Sequence, residues 1–158
     1  MHTAQTLFAG STILTRERER ACAGLRPGKA PIEILTFWTE LMLMAFGIEC
    51  LIKAIWIKQG NQLARDGKYI PITKNERHQL VKLCGAVGIA LDPREADALE
   101  RMSDIAGSIG RYPIPSRARQ SEGVRSWSSE YHGIIENLIL RLKLELRKNS
   151  APRRSRPS

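Results

Sequence analysis

An arginine and a histidine stand seven positions apart at Arg125 and His132, closing the stretch GRYPIPSRARQSEGVRSWSSEYH that runs from Gly110 to His132. The same stretch carries Arg111, Arg117 and Arg119, and it holds a single acid, Glu122. An imidazole titrates near neutral pH and can take or give a proton during a reaction, whereas a guanidinium stays charged and grips phosphate oxygens through its planar fork. If the segment is already helical at Arg125, seven residues make close to two turns, so both side chains share one face roughly 10 Å apart along the axis. Such a pair could face a phosphate. Tyr112 and Trp127 lie in the same stretch. Trp127 could stack on a base, as aromatic side chains of single-strand binders do, or could staple the chain to the helix that follows.

The elements that must hold this stretch are helical. Residues 3 to 24 can form a short helix (Leu7, Phe8, Ile13, Leu14) running into the alternating charges Arg16 to Arg20, and Pro27, Gly28 and Pro31 break the chain after it. From Pro31 the apolar positions Leu35, Trp38, Leu41, Met42, Ala45 and Phe46 recur at three and four, continuing to Ile57, with Gly60 and Asn61 as the stop. Extra apolar residues widen this stripe, so the spacing predicts a long helix covered on two sides, one of which could be a partner subunit. Glu49 and Lys53 read as an i, i+4 surface pair worth a few tenths of a kcal/mol, on the order of other exposed bridges. Thr73 to Glu76 reads as a capping box that starts a helix near Lys74, and Gly88 ends it. Asp92-Pro-Arg-Glu95 starts the next, whose stripe is Ala96, Leu99, Met102, Ile105, Ala106 and Ile109.

Pro113 and Pro115 force a loop after Gly110. The last helix begins between Val124 and Ser129 and runs to about Lys148, with Tyr131, Ile134, Ile135, Leu138, Leu142, Leu144 and Leu146 inward or nearly so. The expected fold class is therefore all-α: an up-down bundle of four main helices over residues 31 to 148, a short N-terminal helix within the extension 1 to 30, and a disordered basic tail from 149 to 158.

At 158 residues the chain suits one domain. Its net charge of +9 is unevenly placed: residues 111 to 125 and 147 to 158 carry +8 of it, and the rest is nearly neutral. A polyanion would be met on one loop and one tail; a solubilising face would look the same. Cys22, Cys50 and Cys84 are odd in number, show no metal-ligand spacing and suit reduced thiols, so neither a metal nor a cofactor is expected. No basic leader precedes the weakly apolar start, and the longest uncharged apolar run, Leu41 to Ile48, is too short to span a bilayer. The expectation is a cytoplasmic protein with no membrane contact.

With the helices placed, the pattern resembles the HEPN superfamily of small helical bundles. Glu49 and Lys53 on the long helix look like the Glu and Lys of the family's corresponding helix, and His78-Gln79-Leu80 resembles a His-x-Leu segment that opens its second helix. Gly110-Arg111-Tyr112-Pro113 is similar to a signature of one branch, and Arg125 with His132 matches the Arg, four to six residues, His motif of the nuclease members. His78 also reads simply as a helix histidine satisfied by a backbone carbonyl. No tyrosine sits two positions after His132, which separates the chain from members whose tyrosine there is nucleotidylated.

The resemblance implies a metal-independent endoribonuclease acting as a homodimer, with Arg125 and His132 catalytic. Arg111, Tyr112, Arg117, Arg119 and Trp127 are the candidate substrate-binding residues. It also implies a toxin-antitoxin or stress and defence setting, with RNA and an antitoxin or other protein as partners. The other reading is a catalytically silent module that binds RNA or a protein.

Overall fold

The computed structural model describes residues 2–23, 33–74, 78–109 and 127–148. Five α-helices account for most of them: α1 (His2–Cys22), α2 (Glu33–Lys58), α3 (Leu80–Ala86), α4 (Pro93–Asp104) and α5 (Ser129–Arg147). A two-stranded hairpin, β1 (Ala64–Arg65) and β2 (Lys68–Tyr69), lies between α2 and α3, and a π-helical turn, Ile105–Ile109, extends α4. The protein is all-α, and no described helix is long and apolar enough to cross a membrane.

The core is a single cluster. Leu41, Ile48 and Ile52 of α2 meet Leu80 and Leu83 of α3, Leu99 and Met102 of α4, and Ile135, Leu138 and Leu142 of α5, all essentially without solvent exposure. Each such side chain contributes about 1.5–3 kcal/mol of transfer free energy. Local chemistry sets the ends. At Gly60 (φ +86) the amide of Asn61 donates to Trp56 O and that of Gly60 to Ile57 O, the paired bonds of a Schellman stop. Gly88 (φ +76) repeats it, with Ile89 N donating to Cys84 O and Gly88 N to Gly85 O. Asp66 and Gly67 both take positive φ, as a two-residue hairpin turn requires.

The box at Asp92 forms as expected: its carboxylate accepts from the amides of Arg94 and Glu95, and Glu95 reaches back to Asp92 N at 3.0 Å. The same Glu95 carboxylate accepts from Arg141 of α5 at 2.8 Å, so the cap also ties two helices together. At the other pole the Lys58 ammonium donates to Leu146 O at 2.7 Å and to Lys148 O, capping α5. This brings the C-terminal ends of α2 and α5 together. Gln59 Nε2 donating to Val87 O gives α3 the same sense as α2, and the hairpin segment carries the chain back between them.

Four expectations are corrected. The N-terminal helix is not short: α1 has 21 residues and lies antiparallel along α2. Its contact uses small residues, since a Cβ at Gly47 would stand 2.5 Å from Phe8 Cε1 and one at Gly10 would stand 3.4 Å from Leu43 Cδ1. The extra apolar width of α2 is thus covered by α1 of the same chain. The helix expected from Lys74 begins at Leu80, because His78 takes φ +60 and interrupts any helix there. The Thr73 hydroxyl that was to cap it is buried without a hydrogen-bond partner, and Glu76 lies outside the described residues. Finally, Leu144 is 59% exposed rather than inward.

Candidate functional site

His132 is the fourth residue of α5, whose N-cap Ser128 is extended and makes no side-chain cap bond. Trp127 and Tyr131 fasten this end of the helix. The Tyr131 hydroxyl donates to Asp97 of α4 at 2.6 Å, Arg101 Nε donates to the same carboxylate at 2.9 Å, and the Arg101 guanidinium lies 4.5 Å from the centre of the Tyr131 ring. The bond to Asp97 holds the Tyr131 hydroxyl above its ordinary pKa. Trp127 packs 5.5 Å from Tyr131 against the core, and its indole N–H is buried without an acceptor. With Tyr131 turned to α4, the next residue, about 100° further round the helix, turns toward α1.

There His132 borders a cleft of about 570 Å³ between α1 and α5. Its side chain is 30% exposed, and Nε2 stands 3.6 Å from the Glu136 carboxylate one turn on. The α1 wall presents Thr12, Thr15, Arg16 and Glu19. Phe8, Met44 and Ile139 form an apolar floor, with Leu140 and Lys143 further along α5. The Lys143 ammonium lies 5.1 Å from the centre of the Phe8 ring and closes off the far end. The carboxylate is near enough to attract a protonated imidazole but not to hydrogen-bond it, and a cleft removes one side of a bound group from water.

A second polar cluster lies elsewhere. The Glu49–Lys53 pair is not a surface bridge: Glu49 is 8% exposed, with Oε1 at 2.6 Å from Lys53 Nζ and Oε2 at 2.6 Å from His78 Nδ1. His78 is therefore a tertiary partner of α2 in left-handed backbone, and not a helix histidine capped by a carbonyl. The Lys53 ammonium lies 5.1 Å from the Tyr69 ring centre, clipping the hairpin to the helix. Burial, and then the neighbouring Glu49, push the Cys50 thiol up from its ordinary value. Among the described residues no group of three or more His, Cys, Asp or Glu could hold a metal ion.

Of the residues singled out from sequence, His132 and Trp127 are placed, five positions apart, one on α5 and the other just before it. Arg111, Tyr112, Arg117, Arg119 and Arg125 lie outside the described residues. α5 starts at Ser129 with Ser128 as its cap, and the shared face expected for Arg125 and His132 rests on a residue outside the described ones. The α1 side of the cleft was missed. Its signal was the run Arg16 to Arg20, whose charges have a wall to belong to only once α1 is seen to lie beside α5. No protein-family model, curated protein or solved structure matches this chain.

Proposed function

We propose that this chain is a metal-independent endoribonuclease of the HEPN type, with His132 as its proton carrier. The supporting observation is the position of His132: partly exposed, beside Glu136, at the edge of a cleft rather than in the core. In the proposed reaction the RNA 2′-oxygen attacks the adjacent phosphorus while its proton passes to an imidazole. The bond to the 5′-oxygen breaks, and that oxygen takes a proton from an acid, leaving a 2′,3′-cyclic phosphate and a 5′-hydroxyl. Arg125 holds the phosphate and offsets its developing charge, with Arg111 as a weaker candidate for the same task. One histidine serves one transfer, so a homodimer that joins two sites supplies both base and acid.

The test is a single-turnover assay on labelled RNA with and without EDTA, comparing the natural protein with Arg125→Ala and His132→Ala and using circular dichroism to check folding. Each substitution is expected to lower the rate by about 10² or more, as loss of an acid-base or anion-stabilising group does. Cleavage at full rate by folded His132→Ala would end this mechanism. A second reading, a module that binds RNA or an antitoxin-like protein without cleaving, draws on the charge: +8 of the +9 lies in residues 111 to 125 and 147 to 158. Salt-sensitive RNA affinity with no cleavage by any of the three proteins would select it.

A further inference from the structure

We infer that the cleft between α1 and α5 is a binding site for one unpaired nucleotide of the RNA strand, with Arg16 of the N-terminal helix as its phosphate contact. The inference rests on the RNA reading of His132 and adds to it the wall opposite that residue. α1 carries none of the residues on which the family resemblance rests, yet it forms that wall.

Three features of the cleft set the ligand class. Its volume of about 570 Å³ suits a ligand of nucleotide size, since small-molecule pockets span roughly 300–1,000 Å³. A duplex cannot enter between two helices, whereas an unpaired base can be turned out of its strand and laid on an apolar surface. Leu140 offers most of that surface, with the edges of the nearly buried Met44 and Ile139 beneath it. The second feature is charge. Arg16 and Lys143 line the cleft without an acidic partner among the described residues, and Lys143 is held over the Phe8 ring. Two acids, Glu19 and Glu136, line it as well, and Glu136 is beside His132. With two cations set against two acids, the cleft offers a phosphate one directed contact, Arg16, and no track of several. The third feature is the threonines. Thr12 Oγ1 donates to Phe8 O at 2.9 Å and Thr15 Oγ1 to Ser11 O at 3.1 Å, so both hydroxyl protons are committed and the oxygens meet a ligand as acceptors. They suit a ribose hydroxyl or an exocyclic amine, leaving the phosphate to Arg16.

Binding is measured on the full chain with uridine and adenosine 5′-monophosphate by equilibrium dialysis, and with a 2′-O-methylated single strand and its duplex by anisotropy. Cleavage kinetics of unmodified single-stranded RNA are followed in parallel. Arg16→Ala removes the cation and Thr12→Trp fills the cleft from an exposed position; circular dichroism checks both folds. Each is expected to weaken mononucleotide binding by about tenfold or more, the loss of one charge-assisted contact, and to raise KM on single-stranded RNA while leaving kcat nearly unchanged. The single strand should bind in preference to the duplex. If the natural protein cleaves RNA but both variants keep its KM and mononucleotide affinity, the cleft inference is overturned and the nuclease reading stands. If mononucleotides bind in the cleft and no RNA is cut, the site stands and the nuclease reading falls. Neither binding nor cleavage overturns both.

Discussion

Glu49 Oε2 lies 2.6 Å from His78 Nδ1, so one nearly buried carboxylate ties the middle of α2 to the residue that leads into α3, 29 positions later. Its second oxygen holds Lys53 at the same distance. A charge this far from water keeps its place only while its partners satisfy it, and His78 adopts a left-handed backbone, strained for a residue with a Cβ, to be one of them. Glu49→Gln is expected to destabilise the fold by about 1–3 kcal/mol, the loss from a buried hydrogen-bonded charge. Urea unfolding of Glu49→Gln, His78→Asn and the double variant gives the coupling. A value of about 0.5 kcal/mol or more is expected for touching residues, and additivity within roughly 0.3 would show that the pair does not interact.

Much of the fold was legible because its signals are local. Gly60, Gly88 and the Asp92–Glu95 box each act within about one turn, and each ends or starts a helix as its chemistry dictates. What failed was tertiary. Thr73 to Glu76 has the letters of a capping box, but His78, held by Glu49, takes a left-handed backbone, and the described helix begins at Leu80. α1 looked short because its face is weakly apolar: it is held by Ala4, Gly10, Ser11 and Phe8 against α2, and close approach of small residues leaves little hydropathy pattern to read. For the same reason the site was half visible. His132 stood out through its neighbours in sequence, while Arg16, 116 positions earlier, belongs to it only through packing.

The α1 contact can be tested at Gly47, where an added Cβ would overlap the Phe8 ring at 2.5 Å. Gly47→Ala gains helix propensity worth about 1 kcal/mol, but overpacking of this kind costs about 1–3 kcal/mol. The net effect should be destabilising, with faster hydrogen exchange along residues 2 to 23. In a Phe8→Ala background the clash is gone, and Gly47→Ala should become stabilising. The same sign in both backgrounds would refute the close approach.

Burial pushes the Cys84 thiol up to about 12 from an ordinary 9.0. The reactive species is the thiolate, so at pH 8 the folded protein should present roughly a thousandfold less of it at Cys84 than an exposed thiol would. Labelling there should proceed only through unfolding and should speed up with urea. The linkage has a definite sign: the folded state binds this proton more tightly than the unfolded chain. Its stabilising contribution is therefore whole below pH 9 and declines as pH rises toward 12. Urea midpoints at pH 8 and pH 11 should fall less in Cys84→Ala than in the natural protein. Equal falls would mean that Cys84 does not carry this proton linkage.

The proposed reaction asks for two proton carriers, and among the described residues the ion-pair partner of His132 is a carboxylate, Glu136, with no second imidazole placed beside it. In that proposal the missing group comes from a second copy of the chain. On α5, Leu140 and Leu144 are 58% and 59% exposed and one turn apart, on the helix that carries His132. Two adjacent exposed leucines are a small patch, yet they sit where a contact between copies would bring the two helices together. Light scattering after size exclusion should give a dimer at tens of micromolar, and Leu144→Glu should shift it toward monomer without changing the helical spectrum, because the side chain already faces water. The rate per chain should then fall steeply on dilution of Leu144→Glu and be partly restored at high concentration. A monomeric natural protein that cleaves at a rate independent of concentration would show that one chain holds both proton carriers, and the acid would have to be sought in Glu136 or in residues 110 to 126.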